Sequence, residues 1–582
     1  MTLSVPTKER ELVDFTRNLI EECRVSAGTR QAYYRTMALI AETGRVDNAK
    51  SLINLLYKHL ERTAAHLYSA VELKFSVGFD NPYPKEYYER ALQVGTILRR
   101  QWAGTGLGTL GVGTDIRFGK GVFESLKYGA AVLKQWGQEG FGGKTDIYGK
   151  LLLPWQFGVY NEAETDLNRQ YAMVETTAMT LTEIWRRIWN MPDAAKLFAR
   201  IRSHARKGAD MGNGIDVSAH WVLSANTIQT PVDGGGSVMP GGMVSVSGQP
   251  NYAMMGPQVA AETAIVHELW VQDDKDYTTI LMIDPDIVIS PLHKKENALG
   301  VKGLHPYTLI QPNEVTNWIW GRSELVDLVE PQQLLSTWAE DGRRLFGLQV
   351  DKILAFIGET GITDEIYGQF RNAGYVNLPQ GADVKDLTPK FPPELMAMLK
   401  FVIDTINTLS GFPEIMRGQG EPGVRAGVHA GTLLKTASPT LRDRALLVER
   451  QCAQAADLTL KIREAKDPRT YWTNGETEEA RKETAFKLTD MPPDTSVEVD
   501  SHSSSPIFSD ENMQLIFAAH SKGMVQTDYV LDTLNFPNAE AAKVQNKEAA
   551  EKSSAMMQNL LANATPEFKE KFALKQISGG KG

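Results

Sequence analysis

Between Trp320 and Ile462 the chain alternates three helical patterns with two stretches that resist helix formation. The first pattern, Glu324 to Ile357, spaces Leu325, Leu328, Leu334, Trp338, Leu345, Leu348 and Ile353 at roughly helical intervals. Gly361, Gly368, Gly374, Pro379 and Gly381 then punctuate the chain. The second pattern opens at Pro392-Pro393, where proline suits a first turn, and stops at Gly411. It carries Leu395, Met398, Leu399, Val402, Ile403, Ile406 and Leu409 as an i, i+3, i+4, i+7 stripe. Gly418, Gly420, Pro422, Gly423 and Gly427 argue against a regular helix in the next stretch. The third pattern, Thr432 to about Lys466, aligns Leu434, Ala437, Leu441, Ala445, Val448, Cys452, Ala455, Leu458 and Ile462. Pro439 lies inside it and predicts a kink, because proline removes a backbone donor and clashes with the preceding turn.

The flanking sequence is mixed. Residues 8 to 76 read as helices, with Leu12, Phe15, Leu19 and Ile20 on one stripe and Leu52, Leu55, Leu56, Leu60, Ala64 and Leu67 on another. Further helices are expected at about Tyr87 to Trp102 and Phe118 to Trp136. From Lys150 the pattern turns to strands: Leu151 to Tyr160, Ala172 to Thr176, and a hairpin of Ala264 to Val271 with Tyr277 to Ile283. Thr180 is a candidate cap for a helix starting at Leu181. Asp233 to Pro250 reads as an exposed glycine-rich loop. Ala485 to Leu488 and Val497 to Asp500 are candidate returning strands, and Ser509-Asp510-Glu511 caps a last helical region. The fold class is therefore α+β.

A chain of 582 residues can bury a large core and ordinarily divides into more than one domain. Its net charge of -9 argues against a protein whose main task is electrostatic capture of nucleic acid, without excluding DNA passing through it. Two cysteines, Cys23 and Cys452, do not make a disulfide framework and suggest a reducing compartment. The first residues hold no apolar signal core, and no run approaches the roughly 18 apolar residues that span a bilayer. A soluble chain made inside a cell, with no membrane partner, is the expectation.

Catalytic patterns are sparse. Gly106-Leu107-Gly108-Thr109-Leu110-Gly111 matches G-x-G-x-x-G, but a dinucleotide site needs a strand before it and an acidic residue on a second strand. Here the preceding pattern is helical. His267-Glu268 lacks the second histidine of a zinc-protease helix, the other histidines are scattered, and no nucleophile elbow, Walker lysine or CxxC occurs. Asp273-Asp274 sits in an expected turn. The expectation is no enzyme, no cofactor and no metal. The alternative is a large α/β enzyme holding a phosphate-bearing ligand at Gly106–Gly111.

Several segments, taken in order, resemble the tailed-bacteriophage portal proteins, the head-to-tail connectors. They are Leu153-Pro154-Trp155-Gln156-Phe157-Gly158-Val159-Tyr160, His267-Glu268-Leu269-Trp270-Val271-Gln272-Asp273, and Gly321-x-Ser323-x-Leu325-x-x-Leu328-x-x-x-Gln332. Gly411-Phe412-Pro413-Glu414 leading into Gly423-Val424-Arg425-Ala426-Gly427-Val428-His429-Ala430 completes the set. The resemblance covers almost the whole chain and implies a portal fold. Residues 1–323 and 467–508 would form a mixed α/β wing, and 324–359 and 393–411 a long antiparallel helical stem. Residues 360–392 would be a small α/β clip, 412–431 a tunnel loop, 432–466 a kinked tunnel helix, and 509–582 a helical crown with a disordered tail.

The implied function is a ring, dodecameric in the family, at one capsid vertex of the virion and assembled in the host cytoplasm. Double-stranded DNA is packaged through it by the terminase, whose large subunit docks on it, and later ejected. Capsid or scaffolding protein and head–tail adaptor or tail proteins are its other implied partners. Arg417, Gln419, Glu421, Arg425 and Lys435 would then face the channel and touch phosphates without reading sequence. Without that resemblance these are the charges of a solvated loop. Arg371, Lys385 and Lys390 in the clip would face the motor or the adaptor, or simply solvent. Leu399, Val402 and Ile406 would pack between subunits, or else on the chain's own first stem helix.

Overall fold

One helix, Pro439–Lys466, runs through the middle of the larger unit of the computed structural model and is buried on most of its circumference. From Gln451 to Lys466 only Gln454 and Ala465 are exposed. It packs against the strands Ala131–Glu139, Thr145–Leu152, Tyr307–Ile310 and Thr495–Val499, and against the helices Leu56–Leu67 and Lys85–Trp102. The structure describes residues 5–6, 8–24, 27–47, 51–69, 73–104, 113–139, 145–189, 191, 193–207, 262–273, 276–283, 287–290, 297–350, 354–357, 380, 383–390, 392–409, 439–473, 477–499, 509–527, 530–531, 542, 545–546, 549, 552 and 555–556.

The chain is α+β, as its sequence reads. Its larger unit is Met1–Asp500 with Ser504–Pro506. Within it, one sheet has the order Phe157–Val159, Ala172–Thr180, Glu262–Asp273, Asp276–Ile283, Ile287–Ser290, all antiparallel, with Arg206–Lys207 paired to the start of the third strand. The helix Glu9–Arg24 covers one face, inserting Leu12, Leu19 and Cys23 among Val174, Leu269, Val271 and Ile280. On the other face lie Trp270, Met173 and Phe157, packed with Val132, Tyr307 and Ile462 of neighbouring elements. Because both faces are covered, Leu269-Trp270-Val271 is a continuous buried run rather than an alternating one. A three-stranded antiparallel sheet, Tyr307–Ile310, Ala131–Glu139, Thr145–Leu152, completes this core. The smaller unit, Ser501–Ser503 with Ile507–Gly582, contains the helix Ser509–Ser521.

Two helices are shorter than their sequence patterns. The expected helix from Phe118 to Trp136 is instead Thr114–Tyr128 followed by the strand Ala131–Glu139. Gly129 ends it at φ +104°, and a Cβ there would meet the Trp320 carbonyl oxygen at 2.5 Å, so the chain turns away and pairs with two strands distant in sequence. Likewise the pattern from Glu324 to Ile357 holds as helix over Val329–Val350, while Leu354–Ile357 is a strand paired with Asp383–Asp386. Apolar runs of four residues suit either state, and here a distant partner decides. Pro439 is the first residue of its described helix. The residues before it, on which the expected kink depends, lie outside the described residues.

At the sheet interface Lys134 donates to Glu175 at 2.6 Å and to Glu268 at 2.6 Å, while Lys150 holds the other Glu175 oxygen at 2.8 Å. Trp270 Nε1 adds a bond to Glu268 at 3.0 Å. Burial pushes the Glu175 carboxyl up, but the two ammonium groups outweigh it and hold it at about 2. Removing Lys134 leaves the buried Glu268 with no paired cation among the described residues and Glu175 with Lys150 alone, so Lys134→Met is expected to cost about 3–5 kcal/mol in denaturant unfolding. The ordinary unfolded value is about 4.3. With the folded value depressed, the network stabilises fully above about pH 5 and loses its contribution as pH falls towards about 2. Wild type should therefore lose stability over that window more steeply than Lys134→Met. Parallel pH profiles would show that the network contributes nothing.

Candidate functional site

Among the described residues no cluster of catalytic type stands out, and the best candidate site is the helical hairpin with its root. Its first arm is Val329–Val350, about 33 Å long at 1.5 Å per residue, and its second is Glu394–Leu409, about 24 Å. The arms pack on each other. Leu395 lies over Gly342, whose added Cβ would stand 3.2 Å from Leu395 Cδ2.

The root is tied down by polar contacts that the sequence pattern around Gly321 to Gln332 supplies. Gly321 adopts φ +62°, and a Cβ there would sit 2.6 Å from the Gly129 carbonyl oxygen and 2.8 Å from that of Asn313. Ser323 Oγ donates to the Lys127 carbonyl at 2.7 Å and accepts from Leu325 N, while its own N–H reaches Tyr33 Oη at 3.0 Å. Gln332 accepts from Leu55 N at 3.2 Å and donates to the Ile53 carbonyl at 2.7 Å. Ser336 Oγ donates to the Gly44 carbonyl and meets Ser51 Oγ at 2.8 Å. Glu324 is nearly buried and gathers Arg444 Nη1 at 2.9 Å, Asn313 Nδ2 at 3.0 Å and His59 Nε2 at 3.4 Å. Burial raises its carboxyl, and those neighbours overcome the rise and hold it at about 2. Glu324 thus joins the hairpin root to the helices Leu56–Leu67 and Pro439–Lys466.

Away from the root the cover ends. From Thr337 to Val350 no residue is buried, and Phe346 and Val350 are 63% and 68% exposed. On the second arm Leu395, Val402 and Ile406 are buried within the chain, Leu399 is half-buried, and Met396, Met398, Phe401 and Leu409 are exposed. The stripe expected to serve subunit contacts is therefore already turned inward in the single chain. The uncovered apolar residues are others. A signal for them was present, since this helix carries apolar side chains on more than one face, which marks a helix covered all round.

Of the expected clip residues, Lys385 and Lys390 are exposed, Lys385 within the Asp383–Asp386 strand opposite Ala355. Arg371, and the loop residues Arg417, Gln419, Glu421, Arg425 and Lys435, lie outside the described residues, as do Gly106–Gly111 and the loop 233–250. The glycine segment follows the helix Lys85–Trp102, not the strand a dinucleotide site requires. Among the described residues no group of three or more His, Cys, Asp or Glu is placed to hold a metal, and no helix is long and apolar enough to cross a membrane. Burial raises both cysteine thiols, Cys23 to about 12, so both stay protonated and unreactive. His267 is pushed down to about 3 by burial and by Arg24, and its Nδ1 lies 2.9 Å from Thr176 Oγ1. A cavity of about 230 Å³ touches Glu268, but that carboxylate already serves Lys134 and Trp270.

No family model and no curated protein matches this chain.

The two glycines of the first arm and its root give a test of opposite signs. Gly321→Ala is expected to destabilise by about 2 kcal/mol or more, through the left-handed backbone and the two carbonyl oxygens in its way. Gly347→Ala, with nothing within 4 Å of its added Cβ, should stabilise by roughly 0.5–1 kcal/mol through helix propensity. Chemical unfolding of both variants checks the pair, and equal effects would refute this account of the root.

Proposed function

We propose that this chain is a portal subunit: one copy in a ring through which double-stranded DNA enters a capsid under the terminase motor and later leaves towards the tail. It would be a structural channel without an active site, with capsid or scaffolding protein and a head–tail adaptor as its other partners. The observation that carries the reading is a firmly rooted helical hairpin whose arms keep large apolar side chains uncovered. A single chain gains nothing by exposing Phe346, Val350, Met396 and Phe401 together, whereas identical neighbours around an axis would bury them. The order of the segments resembling portal wing, stem, tunnel loop and tunnel helix supports the same reading.

On this reading the wing is 1–323 with 467–508, the stem 324–359 and 393–411, the clip 360–392, the tunnel loop 412–431, the tunnel helix 432–466 and the crown 509–582. Arg417, Gln419, Glu421, Arg425 and Lys435 would line the passage, and Arg371, Lys385 and Lys390 would meet the motor or the adaptor. A net charge of -9 per subunit, repeated around a ring, would leave much of the passage acidic and poorly adhesive to phosphates.

Native mass spectrometry with negative-stain imaging tests the proposal. A closed ring with a central hole, of about twelve copies, is the expected result. A compact dimer that binds nucleotide would refute it. Phe401→Asp is expected to abolish rings while leaving the monomer's melting temperature within about 2 °C, because a surface change costs little in a single chain. Val402→Asp is the wrong probe, since it would damage the hairpin itself. Intact rings from Phe401→Asp would remove the stem from the subunit contact.

A further inference from the structure

The large sheet of the wing is electrically polarised from end to end. At its Thr180 end the chain enters the helix Leu181–Ile188 through a complete capping box, Thr180 with Glu183. Ile184 and Ile188 pack down on Ala264, Val266 and Ile283. The exposed sides of this helix and of its neighbour Ala194–His204 present Arg186, Arg187, Lys196, Arg200 and Arg202, with Arg187 also lining the cavity beside Glu268. Trp189 is 64% exposed beside them, and Trp185 stands edge-on to Phe198 at 5.0 Å. Lys196 pairs with Asp193 and Arg202 with Glu262, while Arg186 and Arg187 form no salt bridge among the described residues.

The other end is acidic. Glu22, Tyr160, Asn161, Arg169 and Tyr171 line a shallow groove there. Burial, then Asp273, Tyr160 and Glu22, raise the Tyr171 hydroxyl, which places those groups around one ring. Glu21, Glu164, Asp166 and Asp276 lie on the same elements or on the adjoining hairpin. The cations beside them are Arg169, 3.6 Å from Asp166, and Lys302 near Asp276.

These two ends are joined by the same pair of strands. Thr180 pairs with Thr263 at the basic end and Ala172 with Val271 at the acidic end. Eight residues of extended chain separate them, roughly 26 Å at about 3.3 Å per residue. Opposite surfaces on opposite ends of one rigid element cannot satisfy each other within a chain. They can do so between chains, as a head-to-tail contact repeated in one direction.

We propose that the basic, tryptophan-bearing face of Leu181–Ile188 and Ala194–His204 docks on the acidic, tyrosine-lined groove at Glu22 and Tyr160 of a second copy of this chain. Tryptophan, tyrosine and arginine are the residues that most often anchor protein interfaces, and the charges set direction and register. The inference rests on the ring reading for its closure into a circle, but not for the contact itself.

The test uses the full chain in sedimentation velocity and mass photometry. Either reversed pair, Arg186→Glu with Arg187→Glu or Glu22→Lys with Asp166→Lys, should weaken self-association about tenfold or more. The chain carrying all four changes should recover it. Trp189→Ala should weaken association without changing charge. Raising salt from about 0.1 M to about 1 M, where the Debye length falls from about 10 Å to about 3 Å, should loosen the wild type. Closed rings indifferent to all these variants would overturn the inference and leave the ring reading standing. Open dimers or chains of wild type that the same variants dissolve would support the contact and refute the ring. Absence of self-association in wild type would overturn the inference. So would failure of the four-change chain to recover after both pairs had lost association. If Arg186→Glu with Arg187→Glu lost retention of a DNA duplex with assembly unchanged, the basic face would belong to nucleic acid instead.

Discussion

The larger unit depends on one helix that cannot face water. Pro439–Lys466 buries Ala445, Val448, Cys452, Ala455, Ala456 and Ile462 completely, and the polar side chains on its enclosed faces need partners inside the protein. Several of its polar residues each hold a different neighbour, while Asp457 Oδ1 is buried without a hydrogen-bond partner among the described residues and burial raises its carboxyl. Gln451 exchanges two hydrogen bonds with the Gln311 backbone, Thr459 receives Gln135 Nε2, and Arg444 reaches Glu324. Arg463 binds the fully buried Asp467, which also takes Arg469 and Tyr471 and so fixes the chain's exit from the helix. These contacts orient the small sheet, the hairpin root and the returning segment about one axis.

A consequence is that the titratable groups with the most perturbed environments are structural. Glu175, Glu324 and Asp467 are all held ionised by cations in fixed geometry, and the two cysteines are held as thiols. Perturbed groups can mark a reaction centre, but here each perturbing partner is also a packing contact between two elements. Among the described residues, the apolar flanks of the hairpin and the charged ends of the large sheet lie at the surface.

The hairpin shows how rigidity and exposure are combined. Its root contains a left-handed glycine, a serine bonded to two segments and a glutamine that serves the backbone of residues 53–55. Such bonds are directional and leave the arm little freedom at its base. Farther out the arm packs on its partner arm, with Arg45 reaching Glu340 at 3.0 Å, and side chains such as Phe346 and Phe401 are exposed.

Periodicity by itself determined much of this. The helices at Glu9–Arg24, Lys85–Trp102 and Glu394–Leu409, the Thr180 cap and the hairpin around Asp273 were all legible, because their signals lie within a few residues of one another. Local signals could not distinguish helix from strand at Ala131–Trp136 or Leu354–Ile357, where the deciding partners lie far along the chain. Nor could they tell which stripe of the second hairpin arm turns inward, since it is apolar on more than one side. Glu324, Arg444 and His59 meet only in three dimensions, and the charged residues at each end of the large sheet are likewise gathered from separate segments. Sequence determines the faces that an element possesses; tertiary packing alone decides which of them is covered, because burial is a property of neighbours that spacing along the chain does not encode.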